Sequence, residues 1–370
     1  MRYYIIAGEA SGDLHGSNLI KAIHNIDASA AIRCWGGEKM QEAGANLVKH
    51  YRDLAFMGFV EVLLHIRTIF KNISFCKEDI AAFEPDVLVL IDYPGFNMRI
   101  ATWARQQGIK IVYYISPQVW AWKANRVKKL KRDVDEMLVI LPFEVDYYKE
   151  KWQYDVTYVG HPLIEVIEHE KSTPATPLSN KPIIALLPGS RSQEIKIKLP
   201  IMLLMVDKFP DYQFAIAQAP SQDSALYEEI IGDKNVILVP DQTYNLLKQS
   251  SAALVTSGTA TLETALFGVP EVVCYKGNPI SYWIATKLVD IKYISLVNLI
   301  MDKEVIKELI QADLNEKLLF ENLDKLLNNN AYKAELMQDY RALWDKLGKE
   351  KASLNAAKKV VNIATMNNDN

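Results

Sequence analysis

Asp92 closes the apolar run Val87-Leu88-Val89-Leu90-Ile91 and is followed by Tyr93-Pro94-Gly95-Phe96-Asn97. An acid at the carboxyl end of a buried strand, just ahead of a Pro-Gly turn, can project into a cleft with reduced solvation. Partial burial raises its pKa and makes it a better base, so Asp92 is the candidate general base; the plainer reading is an Asp that caps the next helix. Later, Leu186-Leu187-Pro188-Gly189-Ser190-Arg191-Ser192-Gln193-Glu194 ends another strand-like run. A Gly-Ser turn beside an arginine can hold a diphosphate through backbone amides and a guanidinium fork. The arginine can also neutralise a departing phosphate where no metal does. A second such turn, Ser257-Gly258-Thr259-Ala260-Thr261-Leu262-Glu263, lies between apolar runs 252–255 and 271–275. Gly258 lets a ligand approach the backbone, Thr259 or Thr261 can cap the helix, and the first-turn amides suit an anion. Glu263, expected in the first helical turn, could accept hydrogen bonds from a ribose diol. Alone, that stretch also fits an ordinary βαβ turn, but two anion-ready turns in one half of the chain are hard to explain as coincidence.

Other stretches could line the same cleft. Gly8-Glu9-Ala10-Ser11-Gly12-Asp13 follows the first strand-like run; its glycines permit a tight turn, but it is not G-x-G-x-x-G, which disfavours a dinucleotide. Glu9, Ser11 and Asp13 could contact sugar hydroxyls there, or the stretch could simply start a capped helix. Ser116-Pro117-Gln118-Val119-Trp120-Ala121-Trp122 suits an aromatic wall for a sugar or acyl chain, and core packing explains the tryptophans nearly as well. Lys123, Arg126, Lys128, Lys129, Lys131 and Arg132 follow, either as a solvated face or as an attractor of phosphate or anionic lipid. Asp133-Val134-Asp135 mimics a D-x-D metal motif but precedes its strand, on the wrong side of the sheet, so no metal is expected. Residues 55–71 are unusually apolar for one helix and too short to span a bilayer; they form either a core helix or one whose apolar excess touches lipid. Asn298 follows the run 294–297, and Glu308 and Gln311 are expected three apart on the next helix, unremarkable by themselves.

The elements that must hold these residues alternate. Runs at 3–7, 31–35, 87–91, 110–115, 137–140 and 156–159, separated by helical patterns, indicate a mostly parallel sheet covered on both faces. Runs at 183–187, 214–217, 236–239, 252–255 and 271–275 repeat the plan, and helical patterns without further strands are expected from 302 to about 364. The proline-bearing stretch between them reads as a linker. The expected division is an N-terminal Rossmann-like domain at 1–167, a linker at 168–182, a C-terminal Rossmann-like domain at 183–345, and a helix and polar tail at 346–370 that pack on the N-terminal domain or a partner subunit. At 370 residues two domains are the prior. Facing α/β domains bind ligands at the carboxyl ends of their strands, where the candidate residues fall.

A formal net charge of −3 gives no reason to expect nucleic acid. Cys34, Cys76 and Cys274 are odd in number and widely spaced, which suits a reducing cytosol and disfavours zinc. No signal-peptide pattern opens the chain, so a cytoplasmic location is expected. A base in one half and a diphosphate site in the other suit direct displacement of a nucleoside diphosphate from a sugar, with inversion at the anomeric carbon and no cofactor.

GEASGD at 8–13, MGFVEVL at 57–63, IDYPGFN at 91–97, SPQVWAW at 116–122, LPFE at 141–144, YVGHP at 158–162, LLPGSR at 186–191, SGTATLE at 257–263 and YISLVNLI at 293–300 together resemble the lipid-A-disaccharide synthase family. The resemblance runs in order over most of the chain. It implies a GT-B fold, two facing Rossmann-like domains with a catalytic cleft between them and C-terminal helices. It implies transfer of 2,3-diacylglucosamine from UDP-2,3-diacylglucosamine to the 6-hydroxyl of 2,3-diacylglucosamine 1-phosphate (lipid X). The products are the β-1',6-linked disaccharide 1-phosphate and UDP.

By this resemblance Asp92 matches the family's proposed base, and Arg191 and Asn298 match functionally important polar positions. Gly189, Ser190, Glu194, Ser257 to Thr261, Glu263 and Gln311 fall to the UDP site. Glu9, Ser11, Gly12, Asp13, Met57, Gly58, Asn97 and Trp120 fall to the acceptor side. Phe59, Val60, Leu63, Leu64, Ile66, Ile69 and Phe70 match a membrane-facing patch, which implies peripheral attachment to the inner membrane, and family members form homodimers. Tyr93-Pro94-Gly95 stands where Ala-Pro-Asp is common, and Val297 replaces a usual proline. A UDP-N-acetylglucosamine 2-epimerase or a soluble-acceptor glucosyltransferase would share the cleft without the lipid-facing patch. A non-catalytic nucleotide-sugar sensor would bind UDP and be indifferent to Asp92→Asn.

Overall fold

Short apolar runs buried on both faces become the parallel strands of two sheets. The computed structural model describes residues 1–54, 66–121, 123–278, 292–348 and 351–366, without the side chains of Leu54 and Ile66. The chain divides into two units, Met1–Pro162 with Gly348–Asn370, and Leu163–Leu347.

Unit 1 holds β1 (Arg2–Ala7), β2 (Ala31–Gly36), β3 (Asn46–His50), β4 (Val87–Ile91), β5 (Ile111–Tyr114), β6 (Glu136–Val139) and β7 (Thr157–Tyr158), in the order β3-β2-β1-β4-β5-β6-β7. Alternation along the strands divides the core. Tyr4, Ile6, Leu88 and Leu90 pack with Ile73, Cys76 and Ile80 of helix Ile66–Phe83. Tyr3, Ile5, Val87 and Val89 pack with Leu19, Ile20 and Ile23 of helix Ala10–Ile26, and with Ala356, Ala357 and Val360 of helix Ala352–Thr365. The C-terminal helix thus completes the core of the N-terminal unit, its small residues admitting the neighbouring helix.

Unit 2 holds β8 (Ile183–Leu187), β9 (Gln213–Gln218), β10 (Val236–Pro240), β11 (Ser250–Thr256), β12 (Glu271–Tyr275) and β13 (Lys307–Ile310), in the order β10-β9-β8-β11-β12-β13. In both sheets the strand order reverses once, between β1 and β4 and between β8 and β11. Loops leaving the carboxyl ends of such a pair turn to opposite faces and open a crevice.

The structure departs from the sequence reading in four places. The units part at Pro162/Leu163 and Leu347/Gly348, whereas the boundaries were expected at 167 and 345. Helix Pro162–Ser172 runs into the expected linker, and Thr176 and Leu178 donate their N–H groups to Asn245 and Gln249, so 168–182 is part of unit 2. The region after 302 does contain a strand, β13, pairing with β12 from Val272↔Lys307 to Tyr275↔Ile310. Being a short edge strand with alternating polar residues, it lacks the continuous apolar signature. β3, paired with β2, is a further edge strand that the apolar runs did not mark.

Glu271 opens β12 with 1% of its surface exposed, and burial raises its pKa well above the usual 4.5. A carboxyl raised in the fold contributes fully below the unfolded value, and that contribution is lost as pH rises towards the folded value. Thermal denaturation is therefore expected to show wild type losing stability as pH rises above about 5, by up to about 1.4 kcal/mol per pH unit, relative to Glu271→Gln. Parallel curves for the two proteins would contradict this.

Candidate functional site

In unit 1 the register Ala7↔Ile91 sets the loop after β1 beside the loop after β4. Asp92 and Tyr93 both take left-handed backbone angles, φ +42° and +45°. Each costs about 1–3 kcal/mol for a residue with a side chain and persists only where its surroundings enforce it. Here Asn97 Nδ2 donates to Ile91 O (3.1 Å) and Asp92 O (2.8 Å), and Tyr113 Oη donates to Asp92 O (2.6 Å). Gly8 makes room for the Tyr93 ring, since a Cβ there would lie 2.3 Å from it. Pro94 then starts helix Pro94–Gln106, its missing N–H costing nothing at that position. The Asp92 carboxyl is pushed up to about 6, first by burial and then by the nearby Glu9 carboxylate. A half-buried acid of that pKa holds a proton-accepting form at neutral pH.

Around Asp92 the structure sorts the acceptor-side candidates. Glu9 and Ser11 are exposed at the start of helix Ala10–Ile26, Glu9 close enough to raise the Asp92 pKa. Asp13 was expected to meet sugar hydroxyls, but it is 2% exposed and accepts from the N–H groups of Gly37 (2.7 Å), Lys39 (3.2 Å) and Met40 (3.1 Å). It neutralises the N-terminus of helix Glu38–Glu42. Gly12 packs on Ala7, where a Cβ would lie 3.1 Å from the Ala7 methyl, so it too is structural. Asn97, fully buried, holds the Asp92 turn and is not presented to a ligand. Trp120 is half-buried with its ring edge-on to Phe143 at 5.1 Å, so part of it is packing.

Met57, Gly58, Phe59, Val60, Leu63 and Leu64 lie outside the described residues, as does Trp122, and the Ile66 side chain is not described. Ile69 is half-buried and packs part of its side chain against the unit 1 core. Phe70 is 57% exposed and Phe75 42%, on the same helix as exposed Arg67 and Lys71. The D-x-D pair is occupied internally: Asp133 pairs with Arg132 (2.6 Å) and accepts from Thr102, and Asp135 accepts from Arg105 and from Ile111 N–H.

In unit 2 the register Val255↔Leu187 puts the two anion-ready turns at the ends of neighbouring strands. Gly189 has φ +121°, and a Cβ there would meet the Glu194 carboxylate at 2.4 Å. Ser190 is exposed, and Arg191 occupies the N-cap of helix Ser192–Met202 with its side chain 72% exposed, 3.7 Å from Glu194. Across the crevice Gly258, at φ +140°, is the N-cap of helix Thr259–Phe267. Neither Thr259 nor Thr261 caps it: Thr261 Oγ1 donates to Gly258 O (2.8 Å). Thr259 is exposed and Ala260 half-buried at the helix start. Ser257 Oγ donates to Ile294 O (2.8 Å). Glu263 lies one turn deeper than expected and accepts from Tyr244 Oη at 2.8 Å; burial raises its pKa.

The Asn298 expectation changes most. It sits in helix Leu296–Met301 with no exposed surface, accepting from Val305 N (2.8 Å) and Ile306 N (3.0 Å) and donating to Ile306 O and Glu308 Oε1, both at 2.9 Å. Glu308, on β13 and on no helix, accepts in turn from Ile294 N, Ser295 N and Ser295 Oγ. This chain fixes the carbonyl that Ser257 uses, so Asn298 acts on the turn from behind. Gln311 follows β13 and accepts from Gly277 N (3.1 Å) at the rim of a cavity of about 960 Å³, which Glu194, Lys196, Lys276 and Ala312 also line. Sequence reasoning missed Lys198, which is 3% exposed between Glu194 and Thr256.

Two parallel-stranded Rossmann-like sheets with such turns at their switch points define the GT-B class. Solved structures of the same fold include a putative UDP-N-acetylglucosamine 2-epimerase from Listeria monocytogenes (TM-score 0.69, 12% identity, 100% of this chain and 97% of that one). The glycotransferase of kitacinnamycin is another (TM-score 0.68, 13% identity, 98% and 99%). The family model described as lipid-A-disaccharide synthetase matches residues 3–361. The lipid-A-disaccharide synthase of Geobacter metallireducens is 36% identical over 358 residues, 94% of this chain and 93% of that protein. The chain belongs to the lipid-A-disaccharide synthase family and is a UDP-sugar-dependent glycosyltransferase.

Proposed function

We propose that the chain transfers 2,3-diacylglucosamine from UDP-2,3-diacylglucosamine to the 6-hydroxyl of 2,3-diacylglucosamine 1-phosphate. The observation that carries this reading is the pairing of the Gly189–Arg191 and Ser257–Thr261 turns on adjacent strands β8 and β11, within a chain of this family. Asp92 takes the proton of the acceptor hydroxyl as its oxygen forms the bond to the anomeric carbon. The bond from that carbon to the diphosphate breaks, UDP leaves with the electron pair, and the configuration inverts to β. Arg191 and the amides at the start of helices Ser192–Met202 and Thr259–Phe267 take up the charge that develops on the diphosphate.

Diacylated substrates partition into membrane, and the exposed Phe70 and Phe75 beside Arg67 and Lys71 suit docking on the cytoplasmic leaflet of the inner membrane. No described helix is long and apolar enough to cross a bilayer. The family resemblance adds a homodimer to this reading; in this chain helix Ala352–Thr365 packs on its own unit 1.

The test is UDP release from UDP-2,3-diacylglucosamine, with the monosaccharide 1-phosphate as acceptor, in mixed micelles. Formation of the disaccharide 1-phosphate with equimolar UDP is the expected result. A protein inert with these lipids that epimerises UDP-N-acetylglucosamine, or glycosylates a soluble acceptor, contradicts the reading.

A further inference from the structure

Lys198 has a setting that no surface lysine has. It lies on the inner face of helix Ser192–Met202, 3% exposed, among residues of β11 and the preceding turn. Its ammonium donates to Thr256 Oγ1, the last residue of β11, and stands 3.7 Å from Glu194 Oε2. The other Glu194 oxygen is 3.7 Å from Arg191. The same carboxylate lies against the Gly189 Cα, where only a glycine fits. A buried ammonium is costly unless paired and hydrogen-bonded, and both partners here belong to the roots of the two anion-ready turns. Burial lowers its pKa and the neighbouring Glu194 opposes that shift.

We propose that Lys198 is a positioning residue for the donor diphosphate: it ties Glu194, and with it the Gly189–Arg191 turn, to Thr256 at the root of the Ser257–Thr261 turn. This rests on the donor reading above. Strand pairing sets β8 and β11 side by side, but it leaves the loops beyond them free to spread. A single buried cation, hydrogen-bonded to Thr256 at the end of β11 and ion-paired with Glu194 in the first turn of the helix, holds the amides of the two turns and the Arg191 guanidinium at one separation. The pyrophosphate then meets preset donors, and the ordering is already present before it binds. Glu194, assigned from sequence to the UDP site, becomes the anion that seats Arg191 and does not itself touch the nucleotide. Two carboxylate–cation contacts on one side chain fit that role, since a carboxylate facing a diphosphate would repel it.

The experiment is a double-mutant cycle on the full chain with UDP as the probe. Kd is measured by calorimetry for wild type, Lys198→Met, Thr256→Val and the double variant, with melting curves for each. The methionine variant is expected to bind UDP about tenfold more weakly and the valine variant about threefold. The double variant should be no worse than Lys198→Met alone, because both changes cut one tie. At saturating donor kcat should fall less than the affinity does, a KM effect that general loss of packing would not isolate.

Wild-type affinity in Lys198→Met overturns the proposal. So does strict additivity, which would mean that the lysine charge and the Thr256 bond act separately. If Lys198→Met does not fold, Thr256→Val decides alone: weaker UDP binding supports the tie, and unchanged binding overturns it. Wild type that fails to bind UDP overturns the donor reading first, and this inference with it.

Discussion

Replacing Asp92 with asparagine is expected to lower kcat for disaccharide formation about a thousandfold, with UDP affinity within about twofold of wild type. Asparagine keeps the shape of the side chain and the backbone turn enforced by Asn97 and Tyr113, but it cannot accept the hydroxyl proton. The diphosphate turns belong to the other unit and keep their donors. Among the acids of the first loop, Asp13 is spent on three backbone N–H groups, which leaves Glu9 as the other exposed carboxylate close to Asp92. Stopped assays of product formation, with binding followed separately, check the split. A loss below tenfold would show that Asp92 is not the base.

Arg191→Ala is expected to cost about 10²–10³ in kcat, through loss of charge stabilisation on the leaving UDP. The side chain is 72% exposed and, among the described residues, ion-pairs with Glu194 alone, so its removal should leave the melting temperature nearly unchanged. Arg191→Lys restores a charge but not a planar fork, and recovery should be partial. Full activity in the lysine variant would mean that the site asks only for a positive charge. Unchanged kcat in the alanine variant would remove Arg191 from the reaction.

How far the sequence carried depended on where a residue's partners stand. The strands of both sheets were legible because runs such as Val87–Ile91 and Ile183–Leu187 are buried on both faces and need no polar alternation. Asp92, Gly189 and Gly258 were legible because each follows such a run directly. β13 was read as helix because Lys307-Glu308-Leu309-Ile310 shows only two apolar residues at the edge of a sheet. The polar loop after the first strand leaves Asp13 open between sugar contact and a capped helix start, and the family motifs suggest contact for Asn97 and Asn298. The partners of Asp13 and Asn97 are backbone groups inside the same unit, in places far off in sequence, such as Gly37 for Asp13, and Asn298 adds the Glu308 carboxylate to its backbone partners. Lys198 sits in Glu194-Ile195-Lys196-Ile197-Lys198, where i,i+2 spacing puts the two lysines on different faces of a helix; the fold shows that Lys198 is the one that turns inward. The same motif that misled at Asp13 still located the loop correctly.

The pH dependence of kcat/KM tests the central claim most directly. A base with a pKa near 6 is ionised above that value, so activity should rise about tenfold per pH unit up to pH 6 and level off above it. Glu9→Gln removes one cause of the raised value, and should move this limb to lower pH without abolishing it. In Asp92→Asn the limb should vanish along with most of the rate. An acid limb near 6 that survives in Asp92→Asn would contradict the account, because the proton would then be taken by another group.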